Sequence, residues 1–138
     1  MGQVVFTAHA TAKGGRNGHV KSDDGVIDVN LVMPPGQSGK QGSNPEQLFA
    51  ATYSACYDGA LNLVASNNGK DIESTTTADV SFVKNGAADF NIAVVLNVEV
   101  KGVNQDEAEK LTEEAHQICP YSKAIRGNVD VEIKTKAV

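Results

Sequence analysis

The segment that decides the fold is SNPEQLFAATYSACYDGALNLVA, residues 43–65. It opens with helix-start signals, because Asn44 suits the cap, Pro45 the first helical position, and Gln47 completes a capping box. After Gln47, the only charged residue of the segment is Asp58. A helix that is apolar on almost every side is normally buried. The sequence therefore predicts a long central helix that needs cover on every side.

Upstream of this helix, the sequence predicts three strands and a loop. QVVFTAHATAK, residues 3–13, alternates as a half-buried strand does. HVKSDDGVIDVNL, residues 19–31, holds Asp24-Gly25 between two extended runs, which is a hairpin signal. Residues 32–45 are rich in Gly, Pro and Ser and indicate a loop.

Downstream, the pattern predicts a long hairpin, a second helix and a last strand. TTTADVSFV (75–83) and DFNIAVVLNVEVK (89–101) flank the turn KNGA. A second capping box, Asn104 with Glu107, starts an amphipathic helix that Pro120 interrupts. The resulting order, βββαββαβ, predicts an α+β fold in one domain, residues 1–138. Because one small chain covers a buried helix with difficulty, we expect a homodimer that holds the helices between sheets.

Composition excludes several classes of protein. The 138 residues carry a net charge of −5, no tryptophan and no basic cluster, which argues against nucleic-acid binding. No apolar run approaches the roughly 20 residues that a bilayer requires, and the N-terminus lacks the pattern of a signal peptide. We therefore expect a cytoplasmic protein without a membrane association. In that compartment a pair of cysteines is more often reactive than a structural disulfide.

The two cysteines, Cys56 and Cys119, both lie in apolar, helix-like segments. Position alone leaves two interpretations open: both are inert core residues, or both are chemically active. Burial raises the pKa of a thiol, so activity requires a nearby cation that stabilises the thiolate. His116 and Cys119 have a spacing that suits a ligand pair, but no further ligand pattern completes a zinc site.

The chain has two arginines, Arg16 and Arg126. Arg16, in a glycine-rich segment, is either a solvated turn residue or the cation that a thiolate needs, whereas Arg126 suits a structural ion pair or a charge at a helix C-terminus. Glu46 either interacts with the helix dipole or takes part in the chemistry. Ten residues of straight helix span about 15 Å, so Glu46 cannot touch Cys56 on one unbroken helix. Either the helix breaks between them or the two residues come from different chains.

Three segments carry a resemblance to a known family: TAKGGRNGHV, GSNPEQLFAATYSACYDGAL and CPYSKAIRGNV. They resemble, in the same order, the signature segments of the organic hydroperoxide resistance (Ohr) proteins of the OsmC/Ohr superfamily. The resemblance implies an α+β, intertwined homodimer with antiparallel sheets packed around long central helices. It also implies two active sites at the subunit interface and neither metal nor flavin.

The resemblance assigns roles to four residues. Cys56 becomes the peroxidatic thiol, Cys119 the resolving thiol that forms an intramolecular disulfide with it, and Arg16 with Glu46 the pair that activates Cys56. Such proteins reduce organic and lipid hydroperoxides and are recharged by dihydrolipoyl groups, including those of lipoylated proteins. The implied function is therefore a thiol peroxidase without a cofactor, which uses a dithiol as its co-substrate.

Two positions depart from the family pattern. Tyr57 stands where phenylalanine is usual, and Asp58 stands where an apolar residue is expected. We expect Asp58 either to make the pocket more polar or to lie against Arg126. The alternatives to a peroxidase are a superfamily member with another electrophilic substrate, a redox sensor that uses the same cysteine pair, and an OsmC-type structural stress protein with idle cysteines.

Overall fold

The structure is a computed structural model that describes residues 2–33 and 39–138. The chain divides into two compact units, Met1–Leu48 and Phe49–Val138. The assignment of residues 1–138 to a single domain stays a prediction.

The first unit contains a three-stranded antiparallel sheet in the order β1-β2-β3. Its strands are β1 (Ala10–Lys13), β2 (His19–Ser22) and β3 (Asp28–Asn30), and a short 3₁₀ turn, Gly15–Asn17, connects the first two. The predicted hairpin over residues 19–31 is confirmed, and its turn contains Gly25 at a φ of 76°.

The predicted first strand is shorter than expected. Regular pairing begins only at Ala10, and the apolar side chains before it, Val4, Val5 and Phe6, are 77%, 88% and 82% exposed. An alternating segment stays extended only where a neighbouring strand satisfies its backbone groups. Part of the predicted loop over 32–45, residues 34–38, lies outside the described residues. At its ends, Leu31 and Ser43 form a parallel bridge.

The helix α1 (Pro45–Asn67) begins as predicted and ends at Asn67, within the second unit. The side-chain oxygen of Asn44 accepts a hydrogen bond from the N–H of Gln47 at 2.8 Å. The reciprocal half of the capping box is absent from this helix start as described, because the side chain of Gln47 accepts from Ser43 instead, at 2.6 Å.

The second unit adds a sheet of β4 (Glu73–Lys84), β5 (Phe90–Lys101) and β6 (Val131–Ala137), with two further helices between β5 and β6. These are α2 (Gln105–Ile118) and α3 (Pro120–Ile125). The long hairpin β4–β5 is antiparallel, as expected. β6 instead runs parallel to β5, so this sheet is mixed, whereas the resemblance implied antiparallel sheets. A helical crossover returns the chain to the end of the sheet where β5 began, and the next strand then runs in the same direction.

Alternation along β5 places one face of this sheet against the helices. Val94, Leu96, Val98 and Val100 are at most 2% exposed, so the even-numbered face is the buried one. The core of the second unit combines that face with residues of the helices: Tyr53, Tyr57, Ala60, Leu61, Val64, Ala65, Ala108, Leu111, Ala115 and Cys119.

One chain does not bury α1 on every side, which is the difficulty that led us to expect a homodimer. Tyr53, Tyr57 and Leu61 are fully buried, whereas Leu63 is 55% exposed and Ala51 and Ala55 are also exposed. Within the second unit, the sheet covers one side of α1, and the described residues leave the opposite apolar side exposed. Among the described residues, no helix has both the length and the hydropathy that a transmembrane helix requires.

Candidate active site

Arg16 and Glu46 form a two-pronged ion pair within the first unit. Nη1 of Arg16 donates to Oε1 of Glu46 at 2.6 Å, and Nη2 donates to Oε2 at 2.8 Å. This fork-to-fork arrangement fixes the plane of the guanidinium. The hydrogen bonds from Arg16 lower the pKa of Glu46, although partial burial opposes the shift. Glu46 is therefore a carboxylate near neutral pH, as the family assignment requires.

Glycines shape the turn that presents Arg16. Gly14 and Gly15 have φ values of 82° and 61°, in the left-handed region that favours glycine. A Cβ at Gly18 would lie 1.8 Å from the carbonyl oxygen of Lys13, so no other residue fits there without a backbone shift. The glycine-rich segment thus serves to fold a tight 3₁₀ turn and to hold Arg16 near its tip.

The two cysteines meet within the second unit. Their sulfur atoms lie 3.8 Å apart, and both are free thiols. Cys119 is fully buried, whereas Cys56 is partly exposed. A disulfide bond is about 2.05 Å long, so the sulfurs need to approach by less than 2 Å to form it. The structure therefore brings together the pair that the resemblance predicts.

The surroundings of Cys56 within the second unit raise its pKa. Burial is the largest cause, and the neighbouring Cys119 adds to it. Among the described residues, the opposing influence is the backbone N–H of Tyr121, which stabilises the thiolate. These neighbours do not produce a low-pKa thiol, which agrees with the argument that a buried cysteine needs a cation. The low pKa implied for Cys56 stays a prediction.

The chain breaks its helix at Cys119, as Pro120 predicts. Cys119 ends α2 and precedes α3, with Pro120 at the first position of the new helix, where proline is tolerated. The sequence did not predict α3 itself. Its consequence is that Cys119 has a non-helical backbone, with φ −59° and ψ 123°, between two helices.

Three aromatic rings lie beside the cysteines. The centroid of the Phe49 ring is 6.0 Å from that of Tyr53 and 6.3 Å from that of Tyr121, and the two tyrosine rings are 6.1 Å apart. Tyr121 is 36% exposed, so the cluster has one face open to solvent. Because Tyr53 lies one helical turn before Cys56, this apolar cluster adjoins the thiol.

A hydrogen-bonded chain of three side chains was not anticipated from the sequence. The hydroxyl oxygens of Tyr53 and Ser122 are 2.6 Å apart, and Nδ1 of His116 lies 2.9 Å from the Ser122 hydroxyl. Each of the three residues lies three positions from a cysteine in the sequence. That spacing, about one helical turn, could have indicated that they lie near the thiols. Arg126 donates to the main-chain carbonyl oxygen of His116 at 2.6 Å, a contact near the end of α2 that fits the helix-end alternative for this arginine.

The two positions that depart from the family pattern both have partners. Tyr57 donates its hydroxyl to the carbonyl oxygen of Thr112 at 2.6 Å, which satisfies a fully buried group. Asp58 accepts from the hydroxyls of Ser74 and Thr76, at 2.7 and 2.9 Å. The expectation that Asp58 lies against Arg126 is therefore wrong. Its carboxylate instead joins α1 to β4.

The helix α1 has no break between Glu46 and Cys56. The spacing left two ways for Glu46 to act beside a cysteine, and the first of them, a sharp break in the helix, is therefore wrong. The second, in which Glu46 and Cys56 come from different chains, stays a prediction. The described residues include no cluster of three or more His, Cys, Asp or Glu side chains suited to a metal ion.

Comparison with known proteins gives one consistent family. The sequence model described as OsmC-like protein matches residues 37–134. The organic hydroperoxide resistance protein OhrB of Bacillus subtilis is 48% identical over 135 residues, covering 96% of this chain and 99% of that protein. Its crystal structure superposes with a TM-score of 0.92 and covers 96% of this chain and all of that one. An organic hydroperoxide resistance protein from Elizabethkingia anophelis, solved with thiocyanate bound, is 45% identical, with a TM-score of 0.90 and 99% coverage of both chains.

Proposed function

Because the chain belongs to the OsmC-like family, in the branch of the organic hydroperoxide resistance proteins, we propose that it is a thiol peroxidase that reduces organic hydroperoxides. The observation that carries the proposal is the 3.8 Å separation of the Cys56 and Cys119 sulfurs. Inert core cysteines do not require any contact between their sulfur atoms, whereas a peroxidatic and a resolving thiol must come close enough to form a disulfide. The relatives' names support the substrate class, since they are named for resistance to organic hydroperoxides.

The reaction proceeds in three steps. The thiolate of Cys56 attacks the distal oxygen of the hydroperoxide, the O–O bond breaks, and the alkoxide leaves and takes a proton to give the alcohol. Cys56 is then a sulfenic acid. The thiol of Cys119 attacks that sulfur, its proton joins the departing hydroxide as water, and a disulfide forms. A dithiol, in this proposal a dihydrolipoyl group, finally reduces the disulfide to two thiols. The cycle requires no metal or bound cofactor.

Arg16 supplies the cation that Cys56 needs, and Glu46 holds its guanidinium in place. Since the unbroken α1 separates Glu46 from Cys56 of the same chain, we place the ion pair of one protomer beside the partner's Cys56. The homodimer that this arrangement needs is supported by the uncovered apolar side of α1 and by the exposed segment that contains Phe6. A second copy of the chain buries both surfaces.

The aromatic cluster of Phe49, Tyr53 and Tyr121 supports an organic substrate. The rings of Phe49 and Tyr121 offer an apolar contact for the alkyl or aryl part of a hydroperoxide next to the thiol, and the fully buried Tyr53 packs against them without reaching the substrate. Hydrogen peroxide has no such part, so we expect bulky organic hydroperoxides and lipid hydroperoxides to react faster.

The decisive experiment is turnover of cumene hydroperoxide with dihydrolipoamide as the reductant. Wild-type protein should consume the peroxide continuously, and Cys56→Ser should consume none. Cys119→Ser should complete one stoichiometric turnover and leave a trapped sulfenic acid on Cys56. Continuous turnover by Cys56→Ser would end the proposal.

The same assay separates the alternatives. A redox sensor should form the Cys56–Cys119 disulfide with hydroperoxide but recycle slowly with every dithiol offered. A structural stress protein should not consume hydroperoxide at all. The acidic charge of −5 gives no support to a sensor that reads DNA directly.

A further inference from the structure

We propose that the hydrogen-bonded chain Tyr53–Ser122–His116 positions the resolving cysteine, so that it sets the rate of disulfide closure without affecting the first attack by Cys56. This inference deepens the proposed function and rests on its assignment of Cys119 as the thiol that closes the disulfide. It adds three positioning residues, none of which touches the substrate.

The argument begins with where the three residues stand. Ser122 lies one helical turn after Cys119 on α3, and His116 lies one turn before it on α2. The bond between Ser122 and His116, 2.9 Å long, therefore spans the break at which Cys119 sits. It joins the last turn of α2 to α3 and restrains the backbone angle between the two helices.

Tyr53 connects this restraint to the other cysteine. It lies one turn before Cys56 on α1, and its hydroxyl is 2.6 Å from that of Ser122. The chain thus links the helix that carries one thiol to both helices that flank the other. Tyr53 and Ser122 are fully buried, so water does not compete for their hydrogen bonds.

The hydrogen bonds along the chain can all be donated in one direction, from Tyr53 to Ser122 and from Ser122 to His116. Burial, and then the positive charge of Arg126, lower the pKa of His116, so its ring is neutral near neutral pH. A neutral ring that carries its proton on Nε2 accepts at Nδ1 from the Ser122 hydroxyl, and that hydroxyl is then free to accept from Tyr53. Arg126 also holds the carbonyl oxygen of His116, at 2.6 Å, and fixes the end of α2.

These hydrogen bonds restrict the movement that brings the sulfur of Cys119 to that of Cys56. The sulfurs must approach from 3.8 Å to the length of a bond, and the non-helical backbone at Cys119 is where that movement takes place. A loosened chain lets Cys119 occupy other positions and lowers the fraction of molecules in which its sulfur faces Cys56. The first attack on the peroxide uses Cys56 alone and does not depend on this restraint.

A thiol-exchange assay tests the inference without hydroperoxide. The probe 4,4′-dithiodipyridine reacts first with the partly exposed Cys56 and releases one thiopyridone as a mixed disulfide forms. The thiolate of Cys119 then attacks the Cys56 sulfur, the mixed disulfide breaks, and a second thiopyridone leaves. Two phases of thiopyridone absorbance therefore report the first attack and the closure separately.

We expect Tyr53→Phe, Ser122→Ala and His116→Ala to slow the second phase about tenfold, as loss of one buried hydrogen bond implies, and to leave the first phase within about twofold. His116→Asn places an oxygen near the position of Nδ1 and should restore most of the closure rate. Tyr57→Phe is the matched control: it removes an equally buried hydroxyl from the same helix, one whose partner is Thr112. Both phases should match the wild type in that variant.

The inference is overturned if closure in Tyr53→Phe and Ser122→Ala stays within about twofold of the wild type. It is equally overturned if both phases slow together, or if Tyr57→Phe slows closure as much as Tyr53→Phe, since either result indicates general loosening. A parallel arm with one equivalent of cumene hydroperoxide should show Cys56 sulfenic acid by mass in the slow variants. If wild-type protein consumes no hydroperoxide, the proposed function fails, and the dithiodipyridine phases still decide this inference.

Discussion

The sulfur of Cys119 lies 3.8 Å from that of Cys56 while both thiols are reduced, so the site is assembled for closure before any oxidant arrives. After one equivalent of hydroperoxide, peptide mapping should recover a linked pair of peptides containing Cys56 and Cys119 from monomer-sized bands. The expected bond constrains the unfolded chain by roughly 4 kcal/mol in the chain-entropy account. Oxidised protein should therefore unfold at higher urea than reduced protein. A covalent dimer in place of the linked monomer would contradict the resolving role of Cys119.

Removing the guanidinium should change the ionisation of Cys56. Burial and Cys119 raise the pKa of this thiol, so Arg16→Ala should move the midpoint of its alkylation by iodoacetamide above the ordinary value of about 8.5. The wild-type midpoint should lie below that value, because Arg16 of the second protomer stabilises the thiolate. Lys13→Ala removes one positive charge from the same segment and serves as the control. Equal midpoints for Arg16→Ala and wild type would refute the role of Arg16.

The Arg16–Glu46 pair should contribute stability only while Glu46 is ionised. Its pKa is lowered in the folded protein, so the contribution is present above the ordinary value of about 4.3 and is lost as the pH falls through the folded value. Glu46→Gln should therefore unfold at lower urea than wild type at pH 7 but at the same urea near pH 2. A difference that persists unchanged at the lower pH would show that the effect does not come from the charge.

Asp58 should stabilise the contact between α1 and β4. Asp58→Ala leaves the hydroxyls of Ser74 and Thr76 without their acceptor, and we expect a loss of about 1–3 kcal/mol in the free energy of unfolding. Asp58→Asn keeps an oxygen acceptor and should lose less. Asp79 accepts one exposed hydrogen bond from Asn97, so Asp79→Ala is the control and should change stability by less than about 0.5 kcal/mol. Equal losses of unfolding free energy for Asp58→Ala and Asp79→Ala would show that Asp58 does not anchor α1 to β4.

A charge on the uncovered apolar surfaces should weaken the homodimer. Phe6→Asp and Leu63→Asp each place a carboxylate on a surface that we assign to the interface, and sedimentation at micromolar concentration should show more monomer. Gln117→Asp adds the same charge at an exposed position of α2 and should sediment as the wild type does. A wild-type protein that is wholly monomeric under these conditions would refute the dimer.

Local signals account for the parts of the fold that were predicted from the sequence. The starts of α1 and α2 depend on Asn44 and Asn104, whose side chains each cap a backbone N–H within three residues. The break at Cys119 follows from the missing N–H of Pro120. Such features are fixed by neighbours in the sequence, and the sequence is sufficient to find them.

The parts that were missed depend on distant partners. The direction of β6 depends on the path of the crossover. The sequence around Val131 does not indicate whether this strand pairs with Val94 and its neighbours in the parallel or the antiparallel direction. The orientation of Asp58 depends on the hydroxyls of a strand that begins 15 residues later. In the site, the roles of Arg16 and Cys56 came from the family resemblance. The link between Tyr53 and Ser122 joins residues 69 positions apart and appears only once the helices have packed.

Parallel pairing of β6 with β5 sets the order in which the chain assembles. The hairpin β4–β5 closes through contacts near in sequence, whereas β6 reaches β5 only after the crossover through α2 and α3 has formed. Long-range contacts carry the larger cost in loop-closure entropy and form late. Cys119 lies inside that crossover, so we expect the two thiols to meet near the end of folding. In that case a chain that is still folding carries two separated thiols, and an oxidised small thiol that reaches it early should give mixed disulfides in place of the native pair.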